Sequence, residues 1–328
     1  MRVPLEQLKA TTLTILAHSG YPPEEAQIIH DVLMYAQLRG NNQGIVKLIG
    51  AGMPRDPNAK PIAIIRDHKL AALIDGGRNS GMVVVQKALE MALEKAAGHG
   101  VGIVGTNNTT SSTGAIGYYA SMAARAGYIA FVFAGSHEYV AMHGAYEPIF
   151  GTNPLAIGIP AEGEPLVFDM ATSAIARFGI IEAQTAGKPL PEGVAWDAHG
   201  QPTTDPGAAL AGAIRAFGGY KGAALAMMVE ILTHQWVDTK LDASGKKIDA
   251  GNLIMLIDPA LLTDAEAFRS RVEALRQQVK ATKRLPGVDE ILTPGERGNR
   301  LYQQILAEGI VEIEDRLWTA LEQAAGGA

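Results

Sequence analysis

One stretch constrains this chain more than any other. An apolar run at 101–104 is followed by GTNNTTSSTG at 105–114, which has no apolar side chain, and then by an Ala-rich run of helical period at 115–126. Strand, polar connection and helix in that order form an α/β unit, with the polar run at a helix N-terminus where backbone N–H groups lack partners. The pattern begins again at once. Residues 129–133 read as a strand, a polar loop around Gly135 and Ser136 follows, and 166–168 is a further short strand ending at Asp169. Glycine supplies 37 of the 328 residues, as close helix-to-sheet packing and tight turns require.

The remaining chain fits the same class. Helices are expected at 5–17 and from Pro22 to about 38, the second opened by two prolines and the acidic pair Glu24 and Glu25. A strand at 70–74, a turn through Asp75, Gly76, Gly77 and Asn79, and a helix at 82–97 follow. Further helices are expected at 174–186 and 220–232, with a late strand at 253–257. The last third turns charged and amphipathic, with helices at 263–283 and 297–306 around LPGVDEILTPGERG. The polar insert TKLDASGKKIDAG at 239–251 reads as a solvent loop or a partner contact.

Composition removes several functions. A net charge of −6 leaves no basic stripe for phosphate backbones, so nucleic acid is not an expected partner. The absence of cysteine excludes disulfides, thiolate metal sites and a cysteine nucleophile. None of the eight histidines stands four residues from another, and no metal is expected. The first thirty residues carry Glu6, Glu24 and Glu25 and no signal-like apolar stretch, so a cytoplasmic protein without a membrane span is expected.

Each motif has a plain alternative. GVGIVG at 100–105 matches the dinucleotide fingerprint in letters, but its glycines fall within a strand rather than between strand and helix. GTNNTTSSTG is either a cradle for a phosphate or carboxylate or a capping loop. PTTDP at 202–206 is a turn and helix cap. Lys221, in the first turn of a helix, opposes the helix dipole and calls for an anionic neighbour, either a ligand phosphate or a carboxylate. His137 and His143 are candidate acids or bases. Ser112 has no base near it in sequence and no G-x-S-x-G setting, which disfavours a hydrolase.

Taken in order, GAIGYYA, EPIFGTNP, FDMATS, AWDAHGQPTTDP, GGYKG and PGER span nearly the whole chain. Together they resemble the type II malate/L-lactate dehydrogenase family, which includes ureidoglycolate dehydrogenase, diketogulonate reductase and the piperideine-carboxylate reductases. The resemblance implies a non-Rossmann α/β fold with a mixed sheet and helical N- and C-terminal parts. It also implies a division into 1–75 with 286–328, for substrate and dimerisation, and 76–285, for the cofactor. The implied activity is NAD- or NADP-dependent oxidation or reduction of a small 2-hydroxy, 2-oxo or cyclic 2-imino acid by a homodimer. Matching motif positions make Thr113, Gly114, Ser136, Asp169, Met170, Ala171 and Lys221 cofactor contacts and place Glu296 and Arg297 near the cofactor.

Departures from the family pattern are concentrated around the substrate. The Ser-His-Gly expected after the second helix is lost in RGNNQGIVK, and Lys47 stands where the family has an arginine for the substrate carboxylate. Lysine offers a point charge without arginine's fork. The family's second histidine falls on Ser112, leaving Asp197 of AWDAHG without its histidine partner; its Asn after the next strand is Gly135, and its Gly-Lys reads Phe178-Gly179. The candidate catalytic set is therefore Lys47, Ser112, His143 and Asp197. Three readings follow: a dehydrogenase whose proton is handled by His143, His137, Lys47 or bound water; a lyase or isomerase using bound NAD(H) without net redox change; or a binding protein of the same fold.

Overall fold

A computed structural model describes residues 1–41, 43–110 and 112–327. Asn42 of RGNNQGIVK, Ser111 of the polar run and Ala328, the last residue of the expected C-terminal part, lie outside the described residues. The strands are β1 (Arg2–Pro4), β2 (Ala63–Asp67), β3 (Ala71–Asp75), β4 (Val101–Thr109), β5 (Ile129–Ala134), β6 (Val140–Ala141) and β7 (Pro148–Phe150). They continue with β8 (Leu155–Ile159), β9 (Leu166–Met170), β10 (Ala195–Trp196), β11 (Pro202–Thr203), β12 (Ala213–Ile214), β13 (Ala250–Ile257) and β14 (Ile310–Glu312). The helices are α1 (Leu5–His18), α2 (Pro23–Gln37), α3 (Gly81–His99), α4 (Gly117–Arg125), α5 (Arg177–Thr185), α6 (Pro206–Ala211), α7 (Tyr220–Glu230), α8 (Ala265–Lys280), α9 (Glu296–Glu308) and α10 (Asp315–Ala325).

The main sheet has seven strands in the order β2-β3-β4-β13-β5-β8-β9. Within it β3 and β4 run parallel, joined through α3, while the other neighbours are antiparallel. This mixed pairing is the expected non-Rossmann arrangement. A smaller sheet has the order β11-β10-β12-β6-β7, and β1 pairs with β14 to join the two ends of the chain. One core cluster runs from α1 and α2 through α3 and the main sheet to Trp318 and Leu321 of α10. A second cluster, including Val140, Ile180, Ala195 and Ile214, sits at the smaller sheet. No helix among the described residues is long and apolar enough to cross a membrane.

GVGIVG is packing rather than a fingerprint. Gly100 ends α3 at φ +77°, and a Cβ on Gly102 would lie 2.0 Å from the Ala92 carbonyl oxygen of that helix. The polar run corrects the sequence reading, because β4 continues through it to Thr109. Its polar side chains find partners in the interior: Asn107 donates to Val237 O in the turn after α7 at 2.7 Å, while within the sheet Thr109 donates to Ala250 O at 2.7 Å and Thr106 Oγ1 accepts from Asn252 at 3.0 Å. Burial with partners makes polar residues acceptable in a strand, and periodicity does not show this.

Two more expectations shift. The helix expected from 174 begins at Arg177, since Ser173 bridges to Ala216 and its hydroxyl donates to Ile175 O. The insert at 239–251 is tied down at several points: the buried side chain of Lys247 pairs with buried Glu230 of α7 at 2.5 Å, Asp249 accepts from Asn108 N–H at 2.9 Å, and Ala250 already belongs to β13. Asp205 caps α6 by accepting from Ala208 N–H at 2.6 Å, as PTTDP suggests.

Candidate active site

Lys47 lies in a short 3₁₀ turn, Ile45–Leu48, whose apolar residues Ile45 and Leu48 anchor it in the core against α1 and α2. The lysine itself is only 3% exposed. Its Nζ donates to Ser112 Oγ at 3.0 Å and stands 3.6 Å from the centre of the Phe178 ring. Among the described residues no carboxylate pairs with it. Loss of hydration, reinforced by the charge of Arg177, lowers its pKa from 10.5 to about 7. The Phe178 ring face opposes that shift by favouring the ammonium.

Ser112 and Lys47, 65 positions apart, are thus brought together. Gly114 N–H also donates to Ser112 Oγ, at 3.0 Å. Gly114 has φ +79°, and a Cβ there would meet Val32 at 2.3 Å, so the turn into α4 depends on glycine. Thr113 faces the core, its hydroxyl donating to Asn252 Oδ1 at 2.9 Å and its carbonyl accepting from Tyr119.

On β9, Asp169 accepts from Gly117 N–H at 2.8 Å, at the start of α4. It lines a cleft of about 660 Å³ together with Tyr35, Arg39, Glu182, Arg297 and Asn299. Protein around this concave wall desolvates the carboxyl and raises its pKa to about 6, against the lowering effect of Gly117, although one face stays accessible from the cleft. Arg39 is held between the rings of Tyr35 and Tyr302, with its guanidinium carbon 3.9 and 4.2 Å from their centres. Arg297 is exposed and has no ion pair among the described residues. Glu296 is turned elsewhere. Burial would raise its pKa, but bonds from Lys280, Thr293 and Arg300 bring it to about 2, which fixes the start of α9.

Met170 ends β9 opposite Leu155, and Ala171 leads into Thr172, whose hydroxyl donates to Thr152 O and Asn153 O. Ser136 is tied to the same loop, its Oγ accepting from Thr152 N–H at 3.1 Å. At Gly135 the imidazole of His234 fills the neighbouring space, since a Cβ there would lie 2.1 Å from its Cε1. His143 lies beside the N-terminus of α7, whose first turn carries Lys221. His143 stacks edge-on with Tyr220, their ring centres 6.3 Å apart, and lies beside Gly219, while Lys221 is exposed. Asp197 stands in the β10–β11 turn and accepts from His199 and Gln201 N–H at 2.8 and 2.9 Å, bonds that lower its pKa. Among the described residues no hydrogen bond or ion pair joins Asp197 or His143 to Lys47 or Ser112.

Sequence reasoning passed over Arg177. It opens α5 beside Phe178, stacks on Tyr139 at 4.4 Å and acts on Lys47 through its charge. Its signal was the one recognised at Lys221: a cation in a first helical turn opposes the dipole and is better explained by an anion nearby.

The profile of the malate/L-lactate dehydrogenases matches residues 3–322. The chain belongs to that family. It is 37% identical to the L-sulfolactate dehydrogenase of Methanothermobacter thermautotrophicus over 97% of this chain and 94% of the relative. A Δ1-pyrroline-2-carboxylate reductase of Burkholderia ambifaria is 34% identical over 80% of this chain and 81% of its own. The malate dehydrogenase structure of Entamoeba histolytica superposes with a TM-score of 0.90 at 28% identity, covering 100% of this chain and 98% of that one. Membership makes this family member an oxidoreductase that works with a nicotinamide cofactor on the CH–OH or C=N group of small acids. The readings as a non-redox lyase or a binding protein are not favoured.

Proposed function

We propose that this protein carries out NAD(P)-dependent interconversion of a small 2-oxo and 2-hydroxy acid, or reduction of a cyclic 2-imino acid, with the anionic substrate drawn to the cationic pocket that Lys47 and Arg177 form. The observation behind this reading is a buried amine with no carboxylate partner among the described residues, facing a serine and an aromatic ring. An unpaired buried cation is costly, and an anionic substrate offsets that cost on binding.

The donor set fits a nicotinamide dinucleotide. Gly219 gives α7 no side-chain cap, Gly218 has open space where a Cβ would stand, and Lys221 is exposed without an ion pair among the described residues, an arrangement suited to phosphate. In the cleft, Asp169 suits sugar hydroxyls and Arg297 an anionic group, while Glu296 positions the helix that carries Arg297. Ser136, Thr113, Gly114, Met170 and Ala171 shape the adjoining backbone. Once bound, the cofactor supplies or accepts the hydride.

Fluorescence titration with NADH and with NADPH tests this site and separates the two cofactors. Lys221→Ala is expected to weaken the better ligand roughly ten- to hundredfold, the loss of one charge-assisted hydrogen bond. Absence of saturable binding by either form would sink the reading, and turnover of small 2-oxo acids and cyclic imines completes the test.

The exposed side of α7 and the turn after it carries Tyr220, Met227, Met228, Ile231 and Trp236, an apolar face of the kind that seats a second copy. A cytoplasmic homodimer accords with this face and with the cysteine-free chain. Met228→Glu is expected to shift sedimentation from dimer to monomer. A wild-type protein already monomeric at micromolar concentration would refute the dimer.

A further inference from the structure

The geometry points to a division of labour inside the site just proposed, and rests on that reading: Lys47, acting through Ser112, is the proton donor and acceptor of the reaction, and Arg177 alone anchors the substrate carboxylate.

Hydrogen-bond capacity at Ser112 carries the argument. Its Oγ accepts from Lys47 Nζ at 3.0 Å and from Gly114 N–H at 3.0 Å. With both lone pairs engaged, the hydroxyl proton is left to donate to a third group. Gly114 N–H holds the oxygen in place while the lysine feeds it protons.

In the reductive direction the carbonyl carbon gains a hydride, two electrons and a proton, from the reduced nicotinamide, which leaves oxidised. The carbonyl oxygen takes the Ser112 hydroxyl proton, and Lys47 returns one proton to Ser112, ending as a neutral amine that water reprotonates. Hydride plus proton converts C=O to CH–OH, and charge balances; oxidation runs the same path backwards from neutral Lys47.

A lysine near pKa 7 can serve both directions at neutral pH, which an arginine cannot. Arg177 of α5 is the charged group that shifts it. From α1, α2 and α10, which also pack on its turn, no charged group contributes. Arg177 is permanently charged and can present its fork to a carboxylate, so the anchor does not depend on Lys47.

The test is Lys47→Arg, with Ser112→Ala alongside. If the proposal holds, Lys47→Arg lowers kcat by about 10² to 10⁴ while KM for the acid and the affinity for NADH or NADPH stay within a few-fold. In the wild type, kcat for reduction falls as pH rises through about 7 and kcat for oxidation rises over the same range; that limb disappears in Lys47→Arg. Primary amines such as methylamine restore turnover to Lys47→Ala, with a rate that follows the amine's own pKa. Retention of kcat within threefold in Lys47→Arg, or survival of the limb there, overturns the proposal. A wild type that binds no nicotinamide and turns over no acid overturns the underlying reading instead, so the two failures are distinct.

Discussion

Replacement of Lys47 by methionine is expected to cut turnover by about 10² to 10⁴ and, at the same time, to raise the thermal midpoint. The side chain is 3% exposed and has no carboxylate partner among the described residues, so the folded state holds a cation it does not neutralise. Methionine of similar length fills the same space without charge, and such replacements gain about 1 to 4 kcal/mol. The pH dependence of the gain follows from linkage. Lys47 titrates near 7 when folded and near 10.5 when unfolded, so between those values the unfolded chain binds more protons and wild-type stability climbs with pH. Below about 7 the penalty is present in full. The advantage of Lys47→Met is therefore greatest at pH 6 and fades toward pH 10. Equal melting temperatures for the two proteins at pH 6 would show that the amine is hydrated rather than buried.

Arg177→Leu is expected to raise KM for the acid roughly 30- to 5,000-fold, the effect of removing one partner from a desolvated charge pair worth about 2 to 5 kcal/mol, while NADH or NADPH affinity is kept. A second effect goes with it. Arg177 lowers the pKa of Lys47 by repulsion, so its removal moves the limb of the reduction profile to higher pH. Steady-state kinetics from pH 6 to 9 read both effects. An unchanged KM would take the carboxylate away from Arg177, and an unmoved limb would separate the two cations.

Particular elements show how far the sequence carried. Helices α2 and α3 and strands β3, β5 and β13 lie close to where apolar periodicity and turn residues place them. The plain readings of GVGIVG and PTTDP agree with the glycine packing of β4 against α3 and with the Asp205 cap of α6. β4 itself was underread, because hydropathy cannot tell a polar residue bonded inside a sheet from one in solvent. The pairing of β1 with β14 joins positions some three hundred residues apart and leaves no local trace. At the site, the resemblance drew attention to Lys47 and Ser112 as two separate departures, and only the fold makes them one hydrogen-bonded pair. Asp197 was chosen for the same kind of reason, and its carboxylate is engaged by its own turn.

The sequence by itself determined the α/β class and the family, since these depend on residue type, short-range period and motif order. Tertiary structure alone decided that Lys47 is buried beside Ser112 and Phe178 with Arg177 acting on it. Desolvation and charge coupling depend on distance in space, and these four residues come from a 3₁₀ turn, the approach to α4 and the start of α5. No local pattern encodes that convergence.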